Sequence, residues 1–281
     1  MTDFLSIEDG RIAYEVTGEG PLIVLAHGMG DNRAAYRETA ALLVAAGYRV
    51  AATDLRGHGE SSTGWASYTR TDVAGDLLAL IRHLGGPAVI VGHSFAGGAA
   101  TIAAAQEPEL VGAIVEISPF TRAQKIEFGA LGSNARYRKG MLLLMGTGIL
   151  RSVGLWMRYL DHAHPGARPA GYAEHLAALA TDLGRPGRMA VVAKMGMSAP
   201  TDAGTRLGDV KCPVLVIEGT LDCDWADPRA EGEGIVAELP AGLGRVEMVE
   251  GAGHYAHTQF PAETAAAVLS FLSLQGEADR A

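Results

Sequence analysis

The stretch VIVGHSFAGGAATIAAA, residues 89–105, joins an apolar, β-branched run to a long run of small residues, with one hydroxyl between them at Ser94. The first run is typical of a buried strand and the second of a helix. The chain must therefore turn from strand to helix at Ser94. This serine is either a helix N-cap or a side chain presented at the end of a strand, and the rest of the chain decides between these interpretations.

The composition indicates one folded domain. The chain has 281 residues, of which 48% are hydrophobic and 20% charged, so it can bury a full core. The net charge of −9 and the lack of a Lys/Arg cluster argue against a nucleic-acid partner. Cys212 and Cys223 are too few for a disulfide framework, and the first residues, MTDFLSIEDG, do not resemble a signal peptide. We therefore expect a reduced, cytoplasmic protein.

The longest apolar segment is MLLLMGTGILRSVGLWM, which begins at Met141. It carries Arg151 and three glycines, and it falls short of the roughly 20 unbroken apolar residues of a membrane helix. We expect it to form helices of a lid and not a membrane span. Gly146, Gly148 and Gly154 interrupt these helices in the sequence, which predicts that the lid moves and gates access to the part of the protein beneath it.

Predicted strands and helices alternate over the first part of the chain, after a hairpin at Asp9-Gly10. The predicted strands are 21–26, 48–54, 88–92 and 110–118, and the predicted helices are 33–47 and 71–85. Because these strands are apolar without alternation, we expect them to be buried on both faces of a parallel sheet. This pattern predicts a doubly wound α/β fold.

The alternation stops after Pro119, and the following residues show helical patterns without a convincing strand. The strand pattern returns at 212–220 and 244–254, and a last helix is predicted over 261–272. We therefore predict an α/β core made of residues 1–118 and 207–281. Residues 119–206 form a helical cap inserted into that core.

This topology favours a catalytic interpretation of Ser94. Ligands of parallel sheets bind at the carboxyl ends of the strands, where Ser94 lies. The small residues Gly92 and Ala96 flank it as a nucleophile elbow requires. A serine nucleophile needs a histidine base and an orienting carboxylate. His254 follows the last strand, and three aspartates follow the strand before it: Asp222, Asp224 and Asp227.

Five segments in order resemble the landmarks of the α/β-hydrolases, in the branch of esterases, haloperoxidases and epoxide hydrolases. They are LAHGMG, DLRGHGESS, GHSFAGG, GTLD and GAGH. The resemblance covers residues 7–118 and 207–275 and implies the α/β-hydrolase fold. It implies a triad of Ser94, His254 and Asp222, with Asp224 as the rival acid. It also implies that the N–H groups of Met29 and Phe95 form the oxyanion hole.

The chain departs from the family at two positions. The usual elbow is Gly-x-Ser-x-Gly, whereas Ala96 holds the last position here, and Cys223 stands where proline is common. The serine itself argues against haloalkane dehalogenase and epoxide hydrolase chemistry, because the resemblance ties both to an aspartate nucleophile. We treat the alanine as variation within the family.

The other histidines have less specific interpretations. We expect His27 to brace the oxyanion loop and His257 to be structural or to line the pocket. His162 and His164 resemble a metal pair, but His-Ala-His before Pro165-Gly166 is more typical of a solvated turn. We predict no metal and no cofactor.

The predicted function is hydrolysis of carboxylic esters, with small to medium apolar substrates, through an acyl-enzyme. The same triad serves perhydrolase or haloperoxidase-type reactions and the hydrolysis of lactones, thioesters or carbon–carbon bonds, and these remain open. A non-catalytic small-molecule binding protein is the alternative from another class. Methionines concentrate in the cap, where they would adapt to an apolar substrate. A homodimer through an apolar face of the cap is compatible with the sequence.

Overall fold

A computed structural model describes residues 1–7, 10–123, 126–166 and 168–278. Eight strands form one sheet in the order β1-β2-β4-β3-β5-β6-β7-β8. The strands are β1 (Asp3–Ile7), β2 (Gly10–Thr17), β3 (Leu22–Ala26), β4 (Arg49–Thr53), β5 (Ala88–His93), β6 (Val111–Ile117), β7 (Val214–Gly219) and β8 (Gly244–Val249). β3 to β8 pair in parallel, whereas β1 and β2 are antiparallel to their neighbours.

Helices cover both faces of this sheet. Those that alternate with its strands are α1 (Arg37–Ala45), α2 (Arg70–Leu84), α3 (Phe95–Gln106), α10 (Pro228–Glu238), α11 (Ala256–Gln259) and α12 (Pro261–Ala278). One apolar core lies on the side of α2 and α3, and another lies on the side of α1 and α12. The doubly wound, mostly parallel sheet is thus confirmed. β1 and β2 form the expected antiparallel hairpin, in which Ile7 of β1 is paired with Gly10 of β2. Asp9 of the expected turn lies outside the described residues.

Within the described part of residues 119–206 there are six α-helices and no strand. They are α4 (Phe128–Ser133), α5 (Ala135–Leu150), α6 (Val153–Ala163), α7 (Tyr172–Leu183), α8 (Arg188–Gly196) and α9 (Thr201–Gly204). We call residues 119–206 the helical insertion. It has its own apolar cluster, which includes Trp156, Tyr159 and Leu160 and extends to Cys223 and Tyr255 of the sheet edge.

The glycines of the insertion do not interrupt its helices, and that expectation is wrong. Gly146 and Gly148 lie inside α5, and Gly154 lies in the first turn of α6. A glycine lowers helix stability by only about 1 kcal/mol, which tertiary packing overrides. At Gly146, an added Cβ would lie 3.3 Å from Leu155 of α6, so the glycine allows the two helices to approach. Lid movement stays a prediction.

The carboxyl ends of β5, β7 and β8 lie at one edge of the sheet, where the insertion covers them. Ser94 follows β5, Asp222 and Asp224 follow β7, and His254 follows β8. Within the described residues, no helix has both the length and the apolar character needed to cross a membrane.

Candidate active site

Ser94 occupies a strained turn between β5 and α3. Its backbone angles are φ 53° and ψ −114°, a conformation that few non-glycine residues adopt. The turn is tight because β5 and α3 nearly touch: a Cβ at Gly92 would lie 2.3 Å from the carbonyl oxygen of Ala96. The Ser94 side chain makes no capping hydrogen bond to α3. The geometry is therefore that of a presented hydroxyl and not of a helix N-cap.

His254 lies between two carboxylates. Its Nδ1 is 2.8 Å from Oδ2 of Asp222 and 3.4 Å from Oδ2 of Asp224, and all three side chains are buried. The two aspartates are themselves linked, since the backbone N–H of Asp224 donates to Oδ1 of Asp222 at 2.8 Å. Asp222 thus holds the imidazole by a hydrogen bond, and Asp224 lies beside it at a longer distance. The third aspartate, Asp227, caps α10 instead.

Burial disfavours the imidazolium of His254, but Asp222 and then Asp224 more than offset this effect and raise the pKa of His254 to about 9. Burial likewise raises the pKa of Asp224 to about 6, against the opposing pull of His254. Tyr159 of α6 donates to Oδ2 of Asp224 at 2.5 Å. Among the described residues, only Asp222, Asp224 and His254 bring three potential metal-ligating atoms within 4.8 Å of one another.

Two backbone N–H groups near Ser94 are unused. The N–H groups of Met29 and Phe95 have no hydrogen-bond partner within the described parts of the chain. The Met29 loop lies against the elbow, because a Cβ at Gly28 would be 3.0 Å from Cβ of Ser94. Both residues line the same cavity as Ser94 and His254. They are thus available to a negative charge that develops beside Ser94.

Two histidines hold the loop that carries Met29. His27 donates from Nδ1 to the Gly28 carbonyl at 2.7 Å and accepts from the N–H of Leu55 at 3.0 Å. His58 accepts from the N–H of Gly30 at 2.9 Å. Burial lowers the pKa of His27 to about 4 and that of His58 to about 3, so both rings are neutral at pH 7. His27 therefore has the bracing position that the sequence led us to expect.

Three further histidines are held by contacts within the fold. His257 is fully buried and stacks on Tyr36 with ring centroids 4.4 Å apart, as expected of a structural residue. The expected solvated turn at His162 and His164 is wrong. His162 belongs to α6 and bonds to the carbonyl of Arg136, while His164 is buried and bonds to the carbonyl of Leu160. Helix packing, and not solvent, holds these two rings.

A cavity of about 430 Å³ opens over the elbow, between the sheet edge and the insertion. Ser94, Phe95 and His254 lie at its base, and α5, α6 and α8 supply apolar walls that include Leu144, Met145, Trp156, Val192 and Met195. Within the described residues, no hydrogen bond joins Ser94 Oγ to His254. Such contacts are often long before substrate binds.

Sequence reasoning missed three residues that the insertion and α2 bring to this site. Trp156 donates from Nε1 to the carbonyl of Gly30 at 2.9 Å, and so joins α6 to the loop of Met29. Tyr159 reaches Asp224, and Arg70 of α2 lines the cavity. None stands in a recognisable motif. Cys223, which had no explanation, is buried against α5, where a Cβ at Gly140 would be 3.1 Å from its Sγ.

The sequence model described as the alpha/beta hydrolase family matches residues 23–267. The chain belongs to this family. Its fold and the order of its landmarks agree with the match, and the resemblance seen in the sequence is confirmed.

Two relatives match nearly the whole chain. The 2-(acetamidomethylene)succinate hydrolase of Mesorhizobium japonicum is 28% identical and covers 95% of this chain and 94% of its own length. Epoxide hydrolase A of Mycobacterium tuberculosis is 28% identical, with 94% of each chain covered. Among solved structures, a thermophilic esterase from Thermogutta terrifontis has a TM-score of 0.74 at 22% identity and covers 97% of this chain and 98% of its own. The relatives are hydrolases, and the esterase shows the same fold.

Proposed function

We propose that this protein hydrolyses carboxylic esters through an acyl-enzyme formed on Ser94. The observation that carries the proposal is the elbow itself: a strained serine without a capping role opens into the same cavity as a histidine held by a buried aspartate. This is the arrangement that converts a weak hydroxyl nucleophile into an effective one.

The proposed reaction has two halves. Ser94 Oγ attacks the ester carbonyl while Nε2 of His254 takes the hydroxyl proton, and the N–H groups of Met29 and Phe95 hold the oxyanion. The carbon–oxygen bond to the alcohol then breaks, and His254 returns the proton to the leaving oxygen. Water, deprotonated by His254, attacks the acyl carbon; the acyl–Oγ bond then breaks, which releases the acid, and His254 returns the proton to Oγ of Ser94. Asp222 keeps the Nδ1 proton in place and stabilises the imidazolium.

Two of the similar proteins have printed names compatible with this chemistry. The Mesorhizobium relative is named as a hydrolase of a succinate derivative, and the Thermogutta structure is described as an esterase. Epoxide opening through an aspartate, the mechanism that the family resemblance attaches to epoxide hydrolases, is not available at Ser94. The cavity of about 430 Å³ fits a small to medium substrate with an apolar body, and the helical insertion would act as its cap.

Labelling with a fluorophosphonate, followed by peptide mapping, tests the proposal together with turnover of a chain-length series of p-nitrophenyl esters. We expect one adduct, on Ser94, and ester turnover that falls as labelling proceeds. A matched control is Ser118→Ala, because Ser118 is also buried at a strand end with a positive φ of 43°. A folded protein that neither labels nor turns over any ester would overturn the proposal and favour a binding role.

A further inference from the structure

Arg70 is a buried cation in the wall of the catalytic cavity. It is the first residue of α2, only 3% of its surface is exposed, and it lines the cavity together with Ser94 and Phe95. Its guanidinium carbon lies 4.2 Å above the ring of Phe95, the residue that follows the proposed nucleophile. Gly98 of α3 leaves space for the aliphatic part of the Arg70 side chain, because a Cβ at Gly98 would lie 2.8 Å from Cδ of Arg70. A helix-interior glycine is thus needed to admit this arginine.

The hydrogen bonds of Arg70 leave part of the guanidinium free. Nε donates to the carbonyl of Phe120 at 2.9 Å, and Nη1 donates to the carbonyl of Ser198 at 2.9 Å. Nη1 also lies 3.4 Å from Oγ of Ser198, whereas Nη2 has no hydrogen-bond partner, and the guanidinium has no ion pair, within the described part of the chain. Asp202 favours the charged form only through space.

The other two buried arginines are held differently. Arg56 forms two hydrogen bonds of 2.7 Å with the carboxylate of Asp76. Arg188 donates to the carbonyl of Gly59 at 2.7 Å and lies 3.9 Å from Asp182. Arg70 is therefore the buried arginine of the described residues that lacks an acidic partner, and it is also the one that lines the cavity.

An unpaired buried charge is unfavourable unless something compensates it. Burial lowers the pKa of Arg70 to about 10, which still leaves the guanidinium charged at neutral pH. The other charged groups at the cavity, Asp224 and His254, already interact with each other. Within the described residues, a cation without an ion-pair partner thus faces a largely apolar chamber.

From these contacts we infer that Arg70 binds a carboxylate carried by the substrate, so that the enzyme takes esters of apolar body with one free carboxylate. The inference rests on the proposed ester hydrolysis and narrows its substrate class. The guanidinium supplies the donor at Nη2 and the charge, and Phe95 and Phe120 surround it with apolar surface that strengthens the pairing.

Two matched pairs of alkyl esters test this subsite and locate the carboxylate. Monomethyl succinate and methyl butyrate differ by a carboxylate on the acyl side, and 3-acetoxypropanoate and propyl acetate differ by one on the alcohol side. Proton release in a pH-stat gives kcat/KM for each. We expect the wild-type protein to prefer the anionic member of one pair, and the pair that responds identifies the side that Arg70 contacts.

The variant Arg70→Met should lower that preference by about tenfold or more, in line with the loss of one charge-assisted hydrogen bond. Arg70 also joins α2 to Phe120 and Ser198, so its loss can disturb the structure. A fall in kcat/KM for the neutral ester of each pair measures that disturbance. Arg70→Lys, which keeps the charge, should retain part of the preference. The control Arg188→Met removes another buried arginine that does not line the cavity, and it should leave the preference unchanged.

A wild-type protein that prefers the neutral ester in both pairs would overturn the inference, as would an equal loss for both members in Arg70→Met. Calorimetry with Ser94→Ala measures the affinity for monomethyl succinate and for methyl butyrate without turnover, and so tests the subsite alone. Tighter binding of the anionic ester there, in a protein that hydrolyses nothing, would preserve the subsite and reject the ester hydrolysis. Turnover of neutral esters without any preference for the anionic ester would preserve the proposed ester hydrolysis and reject the carboxylate subsite.

Discussion

The edge of the sheet and the helical insertion form one cavity in different ways. At the sheet edge the backbone fixes the geometry: Gly28 and Gly92 stand where a Cβ would collide with Ser94 or Ala96. In the insertion, side chains form the wall, and several large apolar ones remain exposed, among them Met145 at 53% and Met197 at 81%. The proposed catalytic groups therefore depend on tight backbone approaches, whereas the proposed substrate surface consists of adaptable side chains.

The two regions meet through a few polar contacts. Trp156 bonds to the loop of Met29, and Tyr159 bonds to Asp224. Through these contacts the position of the insertion affects the loop of Met29 and the aspartates beside His254, which are the proposed oxyanion loop and triad acid. The geometry at Ser94 therefore depends on the sheet edge, whereas the geometry at Met29 and Asp224 also depends on the insertion. Variants of the two regions can measure how far each contributes to activity and stability.

The largest effect should follow removal of the nucleophile. We expect Ser94→Ala to lower kcat for p-nitrophenyl butyrate by about 10⁴-fold or more without changing the unfolding midpoint much, because the side chain does not cap α3 and makes no hydrogen bond to another described residue. Ser118→Ala should keep at least a large part of the activity. Equal losses in the two variants would show that the elbow is structural and not catalytic.

The next effect separates the two aspartates. Asp222→Asn should lower kcat by about 10⁴-fold, as expected when the imidazole loses the carboxylate that fixes its tautomer. Asp224→Asn should lower it by about tenfold, since Asp224 lies 3.4 Å from Nδ1 and contributes mainly charge. Steady-state kinetics of both variants decide the assignment. A reversed order would make Asp224 the triad acid.

The pH dependence gives a second measure of the same cluster. Because the pKa of His254 is raised to about 9, the free enzyme holds the imidazolium at neutral pH, and kcat/KM should rise as pH approaches 9. Asp224→Asn removes one favourable charge and should move this rise to lower pH. The raised pKa also stabilises the fold below about 6.5, and that contribution is lost as pH rises through about 9. If Asp224→Asn has the same pH profile as the wild-type protein, Asp224 does not raise the pKa of His254 and this explanation is wrong.

The sequence predicted the sheet edge well because its constraints are local. Gly92, Ala96 and the landmarks around His254 and Asp222 are short motifs whose residue types follow from close backbone approach. The sequence predicted the insertion only as helical. Arg70 lies more than a hundred residues from its partner Ser198, and no local pattern marks such a contact. For the same reason, glycines inside α5 misled the expectation of helix breaks, since the packing of α6 against Gly146 is not visible in the local sequence.

Two glycine variants test this contrast through stability. Gly92→Ala places a methyl group 2.3 Å from the carbonyl of Ala96 and should lower the free energy of unfolding by about 2–4 kcal/mol. Gly148→Ala lies inside α5 with open space around the new methyl and should raise it by up to about 1 kcal/mol. Chemical denaturation measures both. Destabilisation by Gly148→Ala would show that the insertion, too, depends on tight backbone approach.

The smallest effect concerns the rim of the cavity. Met197 lines the cavity yet is 81% exposed, so a bound acyl chain would cover surface that is in contact with water in the free protein. Met197→Ser should raise KM a few-fold for p-nitrophenyl octanoate and leave KM for the acetate unchanged, because each buried methylene contributes about 0.8 kcal/mol and only the longer chain reaches the rim. Phe128→Ser, at another apolar side chain of the insertion that is 81% exposed but does not line the cavity, is the control. If KM for both esters changes equally, Met197 acts on the whole site and the rim is not a separate chain-length filter. A change confined to the long ester would show that side chains of the insertion tune the substrate while the sheet edge keeps its chemistry.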